Sequence, residues 1–101
     1  MIHLEVSRFL PQIKEILRNN HVKRAYLFGS VVTGGFNENS DIDILIDIDK
    51  SVDLSTYGEA YWNILFELEN LMHRNIDLTT EVSIKNPYMK EELNQTKVLI
   101  L

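Results

Sequence analysis

No cysteine occurs in the 101 residues, which excludes disulfides, zinc–thiolate centres and cysteine nucleophiles. Long apolar runs are missing as well. The longest stretch without a charged side chain, Ala25 to Asn37, contains three glycines and falls far short of the ~20 residues a membrane-spanning helix needs. Residues 1–8 have neither the basic flank nor the apolar core of a signal peptide, so a soluble, cytoplasmic protein with no membrane partner is expected. There is no P-loop and no G-x-G-x-x-G run. Basic charge is short too: ten Lys and Arg stand against fifteen Asp and Glu, a net charge of −5. Without a basic stripe, direct nucleic-acid binding is not expected.

What is present suits one globular domain over residues 1–101. The hydrophobic share of 45% and charged share of 25% are ordinary for a folded chain able to bury one core. No repeat or low-complexity tract interrupts it. The net charge is concentrated: between Glu38 and Asp53 lie six acids and a single base, Lys50. Such a block is either a solvated surface or a place for a cation.

Val6, Phe9, Leu10, Ile13, Ile16 and Leu17 recur at helical spacing and predict a helix over residues 7–19, with Pro11 confined to the first turn. Residues 24–28 read as a buried strand that ends in Gly29-Ser30. Residues 41–49 alternate, with Ile at 42, 44, 46 and 48 and Asp at 41, 43, 47 and 49, so one strand face is apolar and the other acidic. Thr56 and Glu59 fit a capping box opening a helix to about His73. In that helix Tyr57, Tyr61 and Phe66 read as core, and Trp62 points elsewhere as a candidate interface residue. Residues 75–80 alternate again. Asn86-Pro87 opens a helix to about Gln95, and residues 97–101 form a last strand. The alternation of strands and helices predicts an α/β (α+β) domain, a small mixed, twisted sheet flanked by helices.

Asp41 and Asp43 project from one strand face, and Asp77 can bring a third carboxylate from a neighbouring strand. Closely held carboxylates repel unless a cation lies between them, and hard divalent ions prefer oxygen ligands. Three acids on adjacent strands can hold a metal pair ~3.5–4 Å apart, a clamp suited to in-line nucleotidyl displacement. Gly29, lacking Cβ, allows a phosphate to approach the backbone, and Ser30 offers a hydroxyl and an N–H where a helical turn begins. Asp47 and Asp49, further along the strand, read as solvated or edge-blunting charges. His3, His21 and His73 lack metal-ligand spacing.

Gly29-Ser30, ten intervening residues and Asp41-Ile42-Asp43 match the G-S-x10-D-x-D signature of the polymerase-β-like nucleotidyltransferases. The chain resembles their smallest branch, the MNT-type minimal nucleotidyltransferases, in residues 23–30, 40–45, 74–79, 86–88 and 97–101. The resemblance implies that Asp41 and Asp43 ligate two Mg²⁺ ions, that Asp77 completes the catalytic metal site and helps deprotonate the attacking hydroxyl, and that Gly29 and Ser30 hold the phosphates of ATP. It also implies transfer of AMP to a hydroxyl, foremost a tyrosine, of a partner HEPN-domain toxin that the protein counteracts as an antitoxin. Many members carry an arginine just after Gly-Ser, where Val31, Val32 and Thr33 stand here. That departure motivates a second reading, a binding module that neutralises its partner by occlusion. A third is nucleotidyl transfer to a nucleic acid or small molecule. A terminal strand at residues 98–101, placed at a sheet edge, would favour a homo- or hetero-oligomer.

Overall fold

The computed structural model describes residues 2–101. In chain order it comprises α1 (Leu4–Ser7), α2 (Leu10–Asn19), β1 (Val22–Phe28), α3 (Ser30–Thr33), β2 (Ile42–Ile48), α4 (Leu54–Met72), β3 (Ile76–Thr80), a 3-10 turn (Glu81–Ser83), α5 (Pro87–Thr96) and β4 (Val98–Leu99). The four strands form one sheet in the order β3-β2-β1-β4. β1 runs antiparallel to β2 and to β4, whereas β2 and β3 are parallel. A parallel pair needs a crossover too long for a hairpin, and α4 supplies it.

The apolar face of β2 organises the core. Ile42, Ile44, Ile46 and Ile48 are all buried, joined by Ala25 and Leu27 of β1, Ile13 and Leu17 of α2, and Ile64 and Leu68 of α4. Each of these side chains recurs at the period of its own element, two in the strands and three or four in the helices, so all converge on one face of the sheet. The other face carries Asp43, Leu45 and Asp47 of β2, with Tyr26 of β1 paired opposite Leu45. The two centre strands are therefore lined by core on one side and by chemistry-bearing side chains on the other.

Several expectations are corrected. The first helix is broken at Arg8-Phe9 into α1 and α2, because Pro11 cannot donate to, and its ring would strike, the carbonyl of a continuous preceding turn. In α2 it sits in the first turn, where donors are unpaired anyway. The cap of α4 is Asp53, whose carboxylate accepts from Thr56 N at 2.7 Å, and not Thr56 itself. An ionised acceptor outcompetes a hydroxyl for the free N–H groups. Regular pairing at the C-terminus is limited to Val98–Leu99, with Ile100 N still donating to Ala25 O at 2.9 Å. Phe66 lies outside the core, 60% exposed, with its ring stacked against the exposed Trp62 at 6.2 Å. Asp47 lies on an inner strand, where it pairs with Arg24 at 3.5 Å, so it blunts no edge. Asp49 accepts from Ser51 N at 2.9 Å in the turn that follows β2, which holds its carboxyl below the usual range.

Candidate active site

Three neighbouring strands bring the predicted residues toward one place. Phe28, the last residue of β1, is paired with Asp43, and Asp43 is in register with Asp77 on β3. Gly29 follows directly, with φ +74° and ψ −152°, backbone that a residue with a Cβ rarely adopts. A Cβ there would collide with Asp43 Oδ2 and lie 3.1 Å from its Cγ. The Gly29 backbone thus passes directly over the carboxylate. Its carbonyl receives Val32 N, Thr33 N and the Thr33 hydroxyl at 3.1, 3.1 and 2.9 Å, and Val31 is buried in the core. These contacts fix the turn between β1 and α3 and leave Ser30 half-exposed at its apex.

Asp43 is half-buried, while Asp41 and Asp77 are exposed. Its carboxyl is raised from 3.8 to about 6, first by burial, then by the charge of Asp77 and a side-chain hydrogen bond with it, and least by Asp41. The parallel register of β2 and β3 places Asp43 beside Asp77. Asp41 stands one residue before β2 and lines a separate cavity of about 420 Å³ with Ser40, Glu69, His73 and Arg74. Among the described residues no three acidic or histidine side chains are gathered around a single point. The donor set is nevertheless all oxygen and all anionic, and no cationic side chain is among the groups that shift the Asp43 carboxyl. Both features suit a hard divalent cation such as Mg²⁺.

Three cations that could stand in for an arginine after Ser30, namely Arg24, Lys50 and Arg74, face other partners or another cavity. Arg24 pairs with Asp47, and Lys50 lines a different cavity. Arg74 is the residue whose part the sequence pattern did not disclose. Its guanidinium donates to Asn37 O at 2.9 Å, Ser40 O at 2.8 Å and Glu5 Oε2 at 3.0 Å, and lies 4.3 Å from the centre of the Phe36 ring. It clamps α1 and the 36–40 loop to the foot of β3, immediately before Asp41. No local spacing signals this, because the partners are 34 to 69 residues away.

Residues 11–101 match the family model described as polymerase beta, nucleotidyltransferase. A Methanocaldococcus jannaschii protein provisionally named a protein adenylyltransferase is 33% identical over 97 residues, covering 95% of each chain. Among solved structures, one described as a minimal nucleotidyltransferase superposes with a TM-score of 0.74 at 22% identity, covering 97% of this chain and 96% of that one. Another, of tri-AMPylated Shewanella oneidensis HEPN toxin in complex with MNT antitoxin, gives a TM-score of 0.66 at 21% identity, covering 94% of this chain and 71% of that one.

Proposed function

The chain belongs to the polymerase-β nucleotidyltransferase family, and from that premise we propose that it transfers AMP from ATP to a tyrosine hydroxyl of a HEPN-type toxin, in the role of antitoxin. The observation that carries this reading is the convergence of Gly29, just past the end of β1, with Asp43 and Asp77, in register on β2 and β3. The name of the Methanocaldococcus relative supports transfer to a protein, and the AMPylated toxin in the Shewanella complex supports the class of acceptor.

In this account Asp43 and Asp77, in register on β2 and β3, would hold two Mg²⁺ ions together with Asp41. Magnesium, when bound, neutralises charge on the α-phosphate and on the departing pyrophosphate. The remaining work falls to the chain. Gly29 lets the triphosphate lie against the backbone, and the Ser30 hydroxyl donates to a phosphate oxygen. Asp77, exposed and beside Asp43, accepts the proton of the attacking hydroxyl at a carboxylate oxygen. The hydroxyl oxygen bonds to the α-phosphorus as the bond to the β-phosphate bridging oxygen breaks, so pyrophosphate leaves and AMP stays on the acceptor.

The absence of a basic side chain at Val31, Val32 and Thr33 supports a second reading, in which the protein neutralises its partner by occlusion alone. Growth of cells producing the partner separates the two. Wild type should restore growth and Asp43→Asn should not. Equal rescue by the variant would establish occlusion.

A further inference from the structure

A second cavity lies away from the carboxylates of Asp41 and Asp77. It measures about 580 Å³ and lies between the sheet, the 3-10 turn and α5. Its apolar lining comes from Leu45, Val82, Ile84 and Leu93, and Leu45 shares its strand face with Asp43, two residues away. Around this floor stand Lys50, Lys85, Lys90 and Lys97, against a single acid, Glu81. These are four of the six lysines in a chain of net charge −5. None of the four is in an ion pair among the described residues, and only Lys97 has another evident partner, the Tyr26 ring at 4.1 Å. Elsewhere on this face stand the carboxylates of Asp43, Asp47 and Asp77, with Arg24 already paired to Asp47.

An uncompensated group of ammonium ions around apolar surface attracts an anion that also carries an apolar side chain. No aromatic ring and no glycine loop line the cavity, so neither base stacking nor a backbone phosphate cradle is offered. Lysine heads spread over several elements suit separate carboxylates better than one phosphate. A long nucleic acid would also meet Asp41, Asp43, Asp47 and Asp77 on the neighbouring surface, which repel a continuous polyanion. We propose that this lysine-rimmed cavity docks an acidic segment of the acceptor protein, with an apolar side chain of that segment seated on Leu45 and Ile84. The proposal rests on the reading that the acceptor is a protein. Such a site would let an acidic domain hold an acidic segment beside its own carboxylates.

The test uses the full chain and a fluorescein-labelled random copolymer of glutamate and tyrosine, followed by anisotropy. Lys85 and Lys90 are exposed, so Lys85→Glu/Lys90→Glu should fold normally, and Lys14→Glu/Lys23→Glu makes the same change in net charge away from the cavity. The first pair should weaken binding at least about tenfold, the second should leave it nearly unchanged, and Mg²⁺-ATP binding should be the same in all three proteins. Equal loss in both pairs, or stronger binding of a lysine–tyrosine copolymer, would overturn the proposal. Tighter binding of a single-stranded RNA, lost in the first pair, would overturn it in favour of nucleic acid. Binding is read without catalysis, so an inactive wild type that holds the copolymer would refute the transferase reading and leave the docking site standing.

Discussion

No side chain can be added at Gly29 without striking the carboxylate of Asp43. Gly29→Ala would displace Asp43 and force a Cβ onto backbone at φ +74°. The variant should lose about 1–3 kcal/mol of stability and about a hundredfold in transfer rate through misplaced reacting groups. Thermal melting beside a transfer assay checks both. A variant matching wild type in both would mean that the turn does not shape the site.

Asp43→Asn should separate stability from activity. The folded carboxyl titrates near 6 against an ordinary 3.8, so the native state holds this proton more tightly than the unfolded chain does. Its contribution to stability is therefore lost as pH rises through that window, and the penalty stands in full above it. Without Mg²⁺, the asparagine variant should be the more stable protein at about pH 8, by up to about 1 kcal/mol once solvent screening of a half-exposed group is allowed for. The difference should shrink at about pH 4. Urea denaturation in chelator at both pH values measures it. A wild type that is equally stable or more stable at the higher pH would contradict the charge assignment.

Arg74→Ala removes three hydrogen bonds and the contact with Phe36. It should cost about 1–3 kcal/mol and speed amide exchange over residues 36–41, with a fall in transfer because the segment entering Asp41 is no longer held. Lysine should not restore the effect, since one ammonium cannot span three separate acceptors as the planar guanidinium does. Unchanged exchange in that segment would show that the loop is held by other contacts.

Asp53→Ala should destabilise by about 1 kcal/mol through loss of the α4 cap, whereas Glu59→Ala should shift stability by less than about 0.5 kcal/mol. Thermal melts of the two variants decide which residue starts the helix. The reverse order would return the cap to Thr56 and Glu59.

Much of this could be read from local pattern. The isoleucines and aspartates of residues 41–49 disclosed a two-faced strand because side-chain alternation is a property of the strand alone. Gly29-Ser30 marked the turn, and Asn86-Pro87 marked the start of α5, whose Asn86 side chain accepts from Tyr88 N at 2.9 Å. Features that depend on distant partners were hidden. Arg74 binds groups 34 to 69 residues away, the in-register pairing of Asp43 with Asp77 depends on the α4 crossover, and the exposure of Phe66 depends on where α4 lies against the sheet. The break at Arg8-Phe9 was obscured because apolar spacing continues through it, while Pro11 decides where the chain can turn.

The central claim is AMP transfer by the Asp43–Asp77 pair, and the most direct measurement compares ATP labelled on the α-phosphate with ATP labelled on the γ-phosphate. Each is incubated with Mg²⁺, the purified protein and a lysate of its source cells, with Asp43→Asn as the parallel control. The account predicts one protein labelled from the α-position only, and only by wild type, with an intact-mass increase of one or more adenylyl groups, each AMP less one water. Label arriving from the γ-position, or label of equal strength with the asparagine variant, would contradict it.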